Sequence, residues 1–335
     1  MMKCKTLIGI AASLVLTVGA ITNAVAALSE VKVALQYGIG YLPLTVMKHN
    51  KLIEKHLKQE GLKDTKVVWS RLANGAAMND ALLSGSLHFA AGGVGPLLIM
   101  WDKTHGHKDV KGIAALCSMP MFINTNDPKV KSIKDLTDKD RIAIAGAGSS
   151  IETVVLWMAA AKIYGQDNYR HFDPIMVNLP HPAGMDALLS KHTVTAQFTS
   201  PPYQYMELEH PGIHTILNSY DITGTATFLT TWTTSAMRKD NPKVYKAFYD
   251  AQKEATEFIN HNKKKSAEIY VEDLHSKMKP EFILKMLNDP QIHITMTPQA
   301  VKKAADFMQK IGVIKHDPKS WKDVYFPDVH DLKGS

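Results

Sequence analysis

Arg141-Ile142-Ala143-Ile144-Ala145-Gly146-Ala147-Gly148-Ser149-Ser150-Ile151-Glu152-Thr153-Val154-Val155-Leu156-Trp157 decides the fold: a β-branched run stops at a glycine loop and turns directly into a helix. The pattern predicts a strand over residues 141–145 and a helix over 150–164. The same unit recurs along the chain. Strands are expected at 31–36, 66–72, 87–91 and 110–116, with helices at about 43–59, 76–83 and from 96 onward. After the quoted stretch come strands at 175–178, 194–199 and 213–217, with helices near 183–189 and 202–209. Strands alternating with helices of this length imply parallel pairing through right-handed crossovers, hence an α/β fold. An uncharged, Thr-heavy β run covers 226–237, and the pattern beyond it is helical at 242–260, 265–275, 280–287 and 298–311. The expected architecture is two α/β lobes. Residues 27–118 and 226–335 form a discontinuous first lobe and 119–225 the second, with crossings at 119–126 and about 226–234.

The N-terminus reads as a leader. Lys3 and Lys5 precede an uncharged apolar run from Thr6 to Ile21, and Ala24-Val25-Ala26 has the small residues that a signal peptidase accepts. The run is short for a membrane span. A cleaved signal peptide over 1–26 places the mature protein in the periplasm; an uncleaved anchor is the alternative. Of the two cysteines only Cys117 follows the leader, so the mature chain has no intramolecular disulfide. The formal charge of +7 falls to +5 without the two leader lysines. With four Arg in all and Lys interspersed among acids, the excess reads as a solvated surface, and nucleic acid is not an expected partner. Apolar residues make up 45% and charged residues 21%, as in a well-packed globule.

Catalytic patterns are weak. The sequence carries no Walker-type phosphate loop and no G-x-S-x-G elbow. The tightest histidine pair, His105-Gly106-His107, has no carboxylate or Cys at ligand spacing, so neither a metal nor another cofactor is expected. No loop sets a nucleophile beside a base, although Ser200 and His181 could approach each other, which keeps a periplasmic hydrolase as the less favoured reading.

Four strand-to-helix junctions carry the binding hypothesis: Tyr37-Gly38-Ile39-Gly40-Tyr41, Gly92-Gly93-Val94-Gly95-Pro96, Gly146-Ala147-Gly148-Ser149-Ser150 and Thr199-Ser200-Pro201-Pro202-Tyr203. In an open α/β sheet, ligands bind beyond the carboxyl ends of the strands, where helix N-termini present free amides and a partial positive charge. An anion is held there without a cation beneath it. Each junction also has a plain structural use. Ser149 with Glu152 matches a capping box, and Ser200 before Pro201 is an ordinary cap. Tyr37, Tyr41, Tyr203 and Trp232 either wall the ligand or fill the core. Arg71, at a strand end, pairs with an anion or with a surface acid, and His181 meets the ligand or shapes its turn. None of the four loops contains an acidic residue, which argues against a cationic guest.

The stretches Gly40-Tyr41-Leu42-Pro43-Leu44, Ala81-Leu82-Leu83-Ser84-Gly85-Ser86-Leu87-His88-Phe89, Ser132-Ile133-Lys134-Asp135-Leu136 and Gly146-Ala147-Gly148-Ser149-Ser150 are carried in an order and spacing that resemble the nitrate, sulfonate and taurine class of ABC solute-binding proteins, over residues 31–235. The resemblance implies a type II periplasmic binding fold, a two-strand hinge, a monomer, and docking of the closed form on an inner-membrane ABC permease. It implies that Gly148, Ser149 and Ser150 hold sulfonate oxygens, and that Gly40, Tyr41, Val94, Gly95 and Tyr203 line the cleft. The chain departs from the family at Thr199-Ser200, where an acidic or aromatic pair is common. The expected guest is an aliphatic sulfonate or taurine. A sulfate ester, an aromatic carboxylate, nitrate and a thiamine-type pyrimidine precursor are the alternatives.

Overall fold

A computed structural model describes residues 28–191 and 194–335; the expected leader lies outside the described residues. In chain order the strands are β1 (Glu30–Leu35), β2 (Lys66–Arg71), β3 (Ala90–Gly93), β4 (Val110–Ser118), β5 (Phe122–Thr125), β6 (Ile142–Ile144), β7 (Met176–Asn178), β8 (Ala196–Thr199), β9 (His214–Asn218), β10 (Thr227–Thr234) and β11 (His293–Ile294). The helices that matter to the site are α1 (Leu42–His49), α2 (Leu52–Gln59), α3 (Gly75–Leu83), α4 (Val94–Thr104), α5 (Ile151–Tyr164) and α6 (His181–Ser190). They are followed by α7 (Tyr203–Leu208), α8 (Tyr220–Thr223), α9 (Ser235–Asp240), α10 (Pro242–His261) and α11 (Lys263–Asp273).

Two sheets result. In the first, β1 and β2 run parallel from Glu30↔Lys66 to Leu35↔Arg71. A bridge between Val33 and Phe89 ties β1 to the segment entering β3, and the Ala34 amide donates to the Phe89 carbonyl at 3.3 Å. β10 lies antiparallel between β3 and β4, and β11 flanks β4, so a four-stranded unit β3-β10-β4-β11 continues through that bridge into the β1-β2 pair on its β3 side. The second sheet has the order β7-β6-β8-β5-β9, with β6 parallel to both neighbours and β5 antiparallel to both of its own. Each sheet therefore receives one antiparallel strand from chain that has just left the other sheet. The chain crosses at residues 119–121 and 219–226. The first crossing is shorter than the expected 119–126, and the second lies upstream of the expected 226–234, because Phe122–Thr125 and Thr227–Thr234 are paired strands inside the sheets and not linkers.

Local chemistry explains the other departures. The single helix expected over 43–59 breaks at Lys51, whose φ of 52° is left-handed, and restarts so that Leu52, Ile53 and Leu57 turn inward. The β run expected to 237 ends at Thr234, whose hydroxyl accepts from the Met237 amide and caps α9. The threonines of β10 are not free to face water. Thr231 Oγ1 donates to Gln252 Oε1 at 2.8 Å, Gln252 Nε2 donates to the Ala115 carbonyl at 2.9 Å, and Tyr325 donates to Thr230 Oγ1 at 3.0 Å. These bonds satisfy buried polar atoms that would otherwise cost about 1–3 kcal/mol each, and they fasten α10 to the sheet. α10 also packs on α1 and α2, so the helices following the second crossing cover the first sheet. One continuous apolar cluster contains residues of both sheets, from Val33 and Phe89 to Ile144 and Phe198.

Candidate functional site

Four helix N-termini converge where the sheets face each other. Gly75 opens α3, Gly93 caps α4 with Pro96 in its first turn, Ser150 caps α5, and His181 opens α6. With Gln36, Tyr41, Ala145, Ile151, Glu152, Phe228 and Leu229 they line one cavity of about 20 Å³. That is room for about one water, so a larger guest requires the sheets to part. The close approach depends on glycine. A Cβ on Gly95 would sit 3.2 Å from the Ser149 carbonyl oxygen and 3.3 Å from the Ile151 nitrogen, and one on Gly93 would sit 2.7 Å from Ile151 Cγ2. A further contact across the seam is the Ile39 amide donating to the Pro201 carbonyl at 3.0 Å.

The cavity holds a carboxylate. Glu152 is 4% exposed and lies in the first turn of α5. Burial pushes its pKa up to about 7, against the opposing pull of its own amide and the Ser150 hydroxyl. His181 Nε2 lies 3.7 Å from Glu152 Oε1, while its Nδ1 is 2.8 Å from Thr199 Oγ1. Burial lowers the His181 pKa to about 4, so the imidazole is neutral at pH 7. Burial thus favours the uncharged form of both groups, a protonated carboxyl beside a neutral imidazole. The Tyr203 ring stacks on His181 at 5.8 Å. Tyr41, 3% exposed, is held as the neutral phenol first by burial and then by the Glu152 charge.

The structure sorts the residues singled out in the sequence. Tyr41, Ser150 and His181 line the cavity; Thr199 and Tyr203 stand behind His181. Ser200 is fully buried next to the seam, and its hydroxyl has no hydrogen-bond partner. The others are drawn away by nearer interactions. Gly40 is pressed under Leu229 and Cys117, Val94 packs in an apolar seam with Ile151 and Val155, and Gly95 is the interlobe contact. Gly148 is exposed with φ of 87°, and Ser149 donates to the Gly146 carbonyl at 3.3 Å. Tyr37 is 38% exposed with the Arg71 guanidinium 4.8 Å from its ring centre. Arg71 itself donates to the Gln36 carbonyl at 2.8 Å and lies 3.7 Å from Asp273. Trp232 is fully buried in the core, its ring edge against Gly92.

Two readings of the third loop need correction. The cap of α5 is Ser150, which accepts from the Thr153 amide at 3.2 Å, and not Ser149 paired with Glu152. The four loops lack acids, but the cleft does not: Glu152, two residues past Ser150 at the end of that loop, lines it. The run from Val154 to Ala161 carries no charge, and a helix apolar all round is a buried one. An acid in its first turn was therefore legible as a buried acid.

Among the described residues no helix is long and apolar enough to cross a membrane, and no three His, Cys, Asp or Glu side chains are grouped to hold a metal ion. Two α/β sheets, each threaded by one strand from the other's chain and meeting at converging helix N-termini, define the periplasmic binding protein fold. Residues 26–272 match the model of the NMT1-like family, and the chain belongs to that family. Solved structures agree in fold. The alkanesulfonate-binding protein SsuA from Xanthomonas axonopodis pv. citri, bound to MOPS, matches with a TM-score of 0.67 at 16% identity, covering 86% of this chain and 95% of that one. The periplasmic nitrate-binding protein NrtA from Synechocystis PCC 6803 matches with a TM-score of 0.68 at 15% identity, covering 86% and 82%. The aliphatic sulphonate-binding protein SsuA from Escherichia coli matches at 0.64 and 16%, covering 89% and 92%. No curated protein matches the chain in sequence. The resemblance to the nitrate, sulfonate and taurine class is in line with these neighbours.

Proposed function

We propose that this chain is the periplasmic solute-binding component of an ABC importer, and that its guest is a small organic anion bearing a protonated amine, with taurine and related aminosulfonates the leading class. Residues 28–118 with 226–335 form one lobe and 119–225 the other. The guest lies between them, and the closed monomer docks on an inner-membrane permease. The observation that carries this reading is the buried Glu152–His181 pair within a ring of four helix N-termini. Helix N-termini favour the anionic end of a guest. Glu152 resists ionisation while it is buried alone, and an ammonium beside it restores the charged form. A guest touching both lobes favours closure by its differential affinity for the closed form.

One further observation favours a second reading. The stacked His181 and Tyr203 rings and the Tyr41 phenol stand around Glu152 and suit a flat, protonated heterocycle such as an aminopyrimidine. A thermal-shift panel separates the two. Taurine, ethanesulfonate, nitrate, an aromatic carboxylate and an aminopyrimidine are each added in excess, since a specific guest raises the melting temperature by mass action. Taurine is expected to give the largest rise. A larger rise with the aminopyrimidine supports the second reading, and no rise with any compound removes both.

A further inference from the structure

A separate depression of about 560 Å³ lies at the outer edge of the first sheet, and its lining shares no residue with the interlobe cavity. Its volume falls in the range of small-molecule sites, about 300–1,000 Å³. Two lysines, Lys263 and Lys333, and His293 line it, and its lining contains no Asp or Glu. Neither lysine has a carboxylate within 4.0 Å among the described residues. Lys263 is the first residue of α11, whose first turn holds no acid and whose cap, Asn262, makes no side-chain bond to the helix amides. The Asn262 side chain donates instead to the Phe258 carbonyl at 3.0 Å. The amides of that first turn are therefore without a side-chain acceptor. Independently, Ser118 lines the same depression at 1% exposure, and its hydroxyl has no hydrogen-bond partner. An unmatched buried hydroxyl costs about 1–3 kcal/mol, and an oxyanion would supply the missing acceptor.

We propose that this depression is a second anion site, taking a phosphate-type oxyanion between Lys263, Lys333 and the start of α11, with the Ser118 hydroxyl donating to it. Ser118 ends β4 at the first crossing and Thr225 lies in the second, so the site adjoins both connections between the lobes. The oxyanion chemistry is shared by free inorganic phosphate and by a lipid headgroup; the concave shape favours the free ion.

The test is calorimetric titration of sodium phosphate at low ionic strength into the full mature chain saturated with taurine, which occupies the interlobe site if it binds there. Phosphate should bind wild-type protein. The double variant Lys263→Gln with Lys333→Gln should bind about tenfold or more weakly, as expected for two lost charge-assisted contacts. Ser118→Ala, which keeps both charges, should weaken binding several-fold and so separates the site from a general effect of net charge. Because Lys263, Lys333 and Ser118 lie outside the interlobe cavity, a loss of phosphate binding on substituting them stands whether or not taurine binds. Equal phosphate affinity in wild-type and double-variant protein would overturn the assignment. So would binding only to phosphatidylglycerol vesicles, with none to the free ion.

Discussion

Replacing Glu152 by Gln should change the stability of the protein in a way that depends on pH with a defined sign. The folded protein keeps the Glu152 proton up to about pH 7, whereas the ordinary value is 4.5. Between these values the folded state holds more protons than the unfolded chain, so this group lowers stability as pH rises through the window. The span of about 2.5 pH units corresponds to about 3 kcal/mol, and near-complete burial leaves little solvent to screen it. His181 acts in the opposite sense. Its folded value of about 4 lies below the ordinary 6.5, so stability is lost as pH falls through that interval. The titratable groups facing the pair are Tyr41 beside α1 and Tyr203 on α7, both held neutral chiefly by burial. They do not titrate in the window. In the wild type the two slopes oppose each other between pH 4.5 and 6.5. Denaturant titrations from pH 4 to 8 should show the stability of Glu152→Gln, relative to wild type, rising by about 3 kcal/mol as pH goes from 4.5 to 7. The relative stability of His181→Asn should run the other way, falling by a similar amount from pH 4 to 6.5. A difference between Glu152→Gln and wild type that stays constant from pH 4 to 8 would refute the buried, uncharged pair.

Other outcomes follow from single contacts. Gly95→Val places side-chain atoms against Ser149 and Ile151, so small-angle scattering should show a larger radius of gyration that does not shrink when taurine is added. Ser150→Ala removes the α5 cap and should cost about 1 kcal/mol in denaturant unfolding as well as weaken guest binding, whereas Ser149→Ala should leave affinity unchanged, since Ser149 serves its own loop. Glu207, fully buried and bonded to Asn124 at 2.7 Å, has its pKa pushed up to about 8 by burial. Glu207→Gln should therefore gain stability over wild type as pH rises from 4.5 to 8, read from melting temperatures across that range.

Much of the fold was legible because hydrophobic period and glycine punctuation act locally. The strands entering the Gly92 and Gly146 loops, and the helices leaving them, fall within a few residues of their expected places. What periodicity does not encode is which strand pairs with which, and the insertion of β5 and β10 as antiparallel strands is fixed by contacts remote in sequence. The site was legible in outline and misread in detail. Two of the expected junctions, those ending at Pro96 and Ser150, lie at the cavity, while the other helix starts there, Gly75 and His181, open helices whose preceding loops were not among the four. Which side chains face inward depended on packing across the seam: Gly40 went to Leu229, Trp232 to the core and Ser149 to its own loop, while Glu152, read as a cap partner, became the buried carboxyl of the cavity.

The account rests on Glu152 reading a positive group on the guest, and calorimetric titration of taurine and ethanesulfonate into wild-type protein and Glu152→Gln tests this directly. The two guests share an anionic end and differ in the ammonium. Wild-type protein should prefer taurine by about tenfold or more, the worth of one charge-assisted hydrogen bond at about 1.5–3 kcal/mol, and Glu152→Gln should bind the two alike. A wild-type preference for ethanesulfonate, or a taurine preference that survives the substitution, would contradict it.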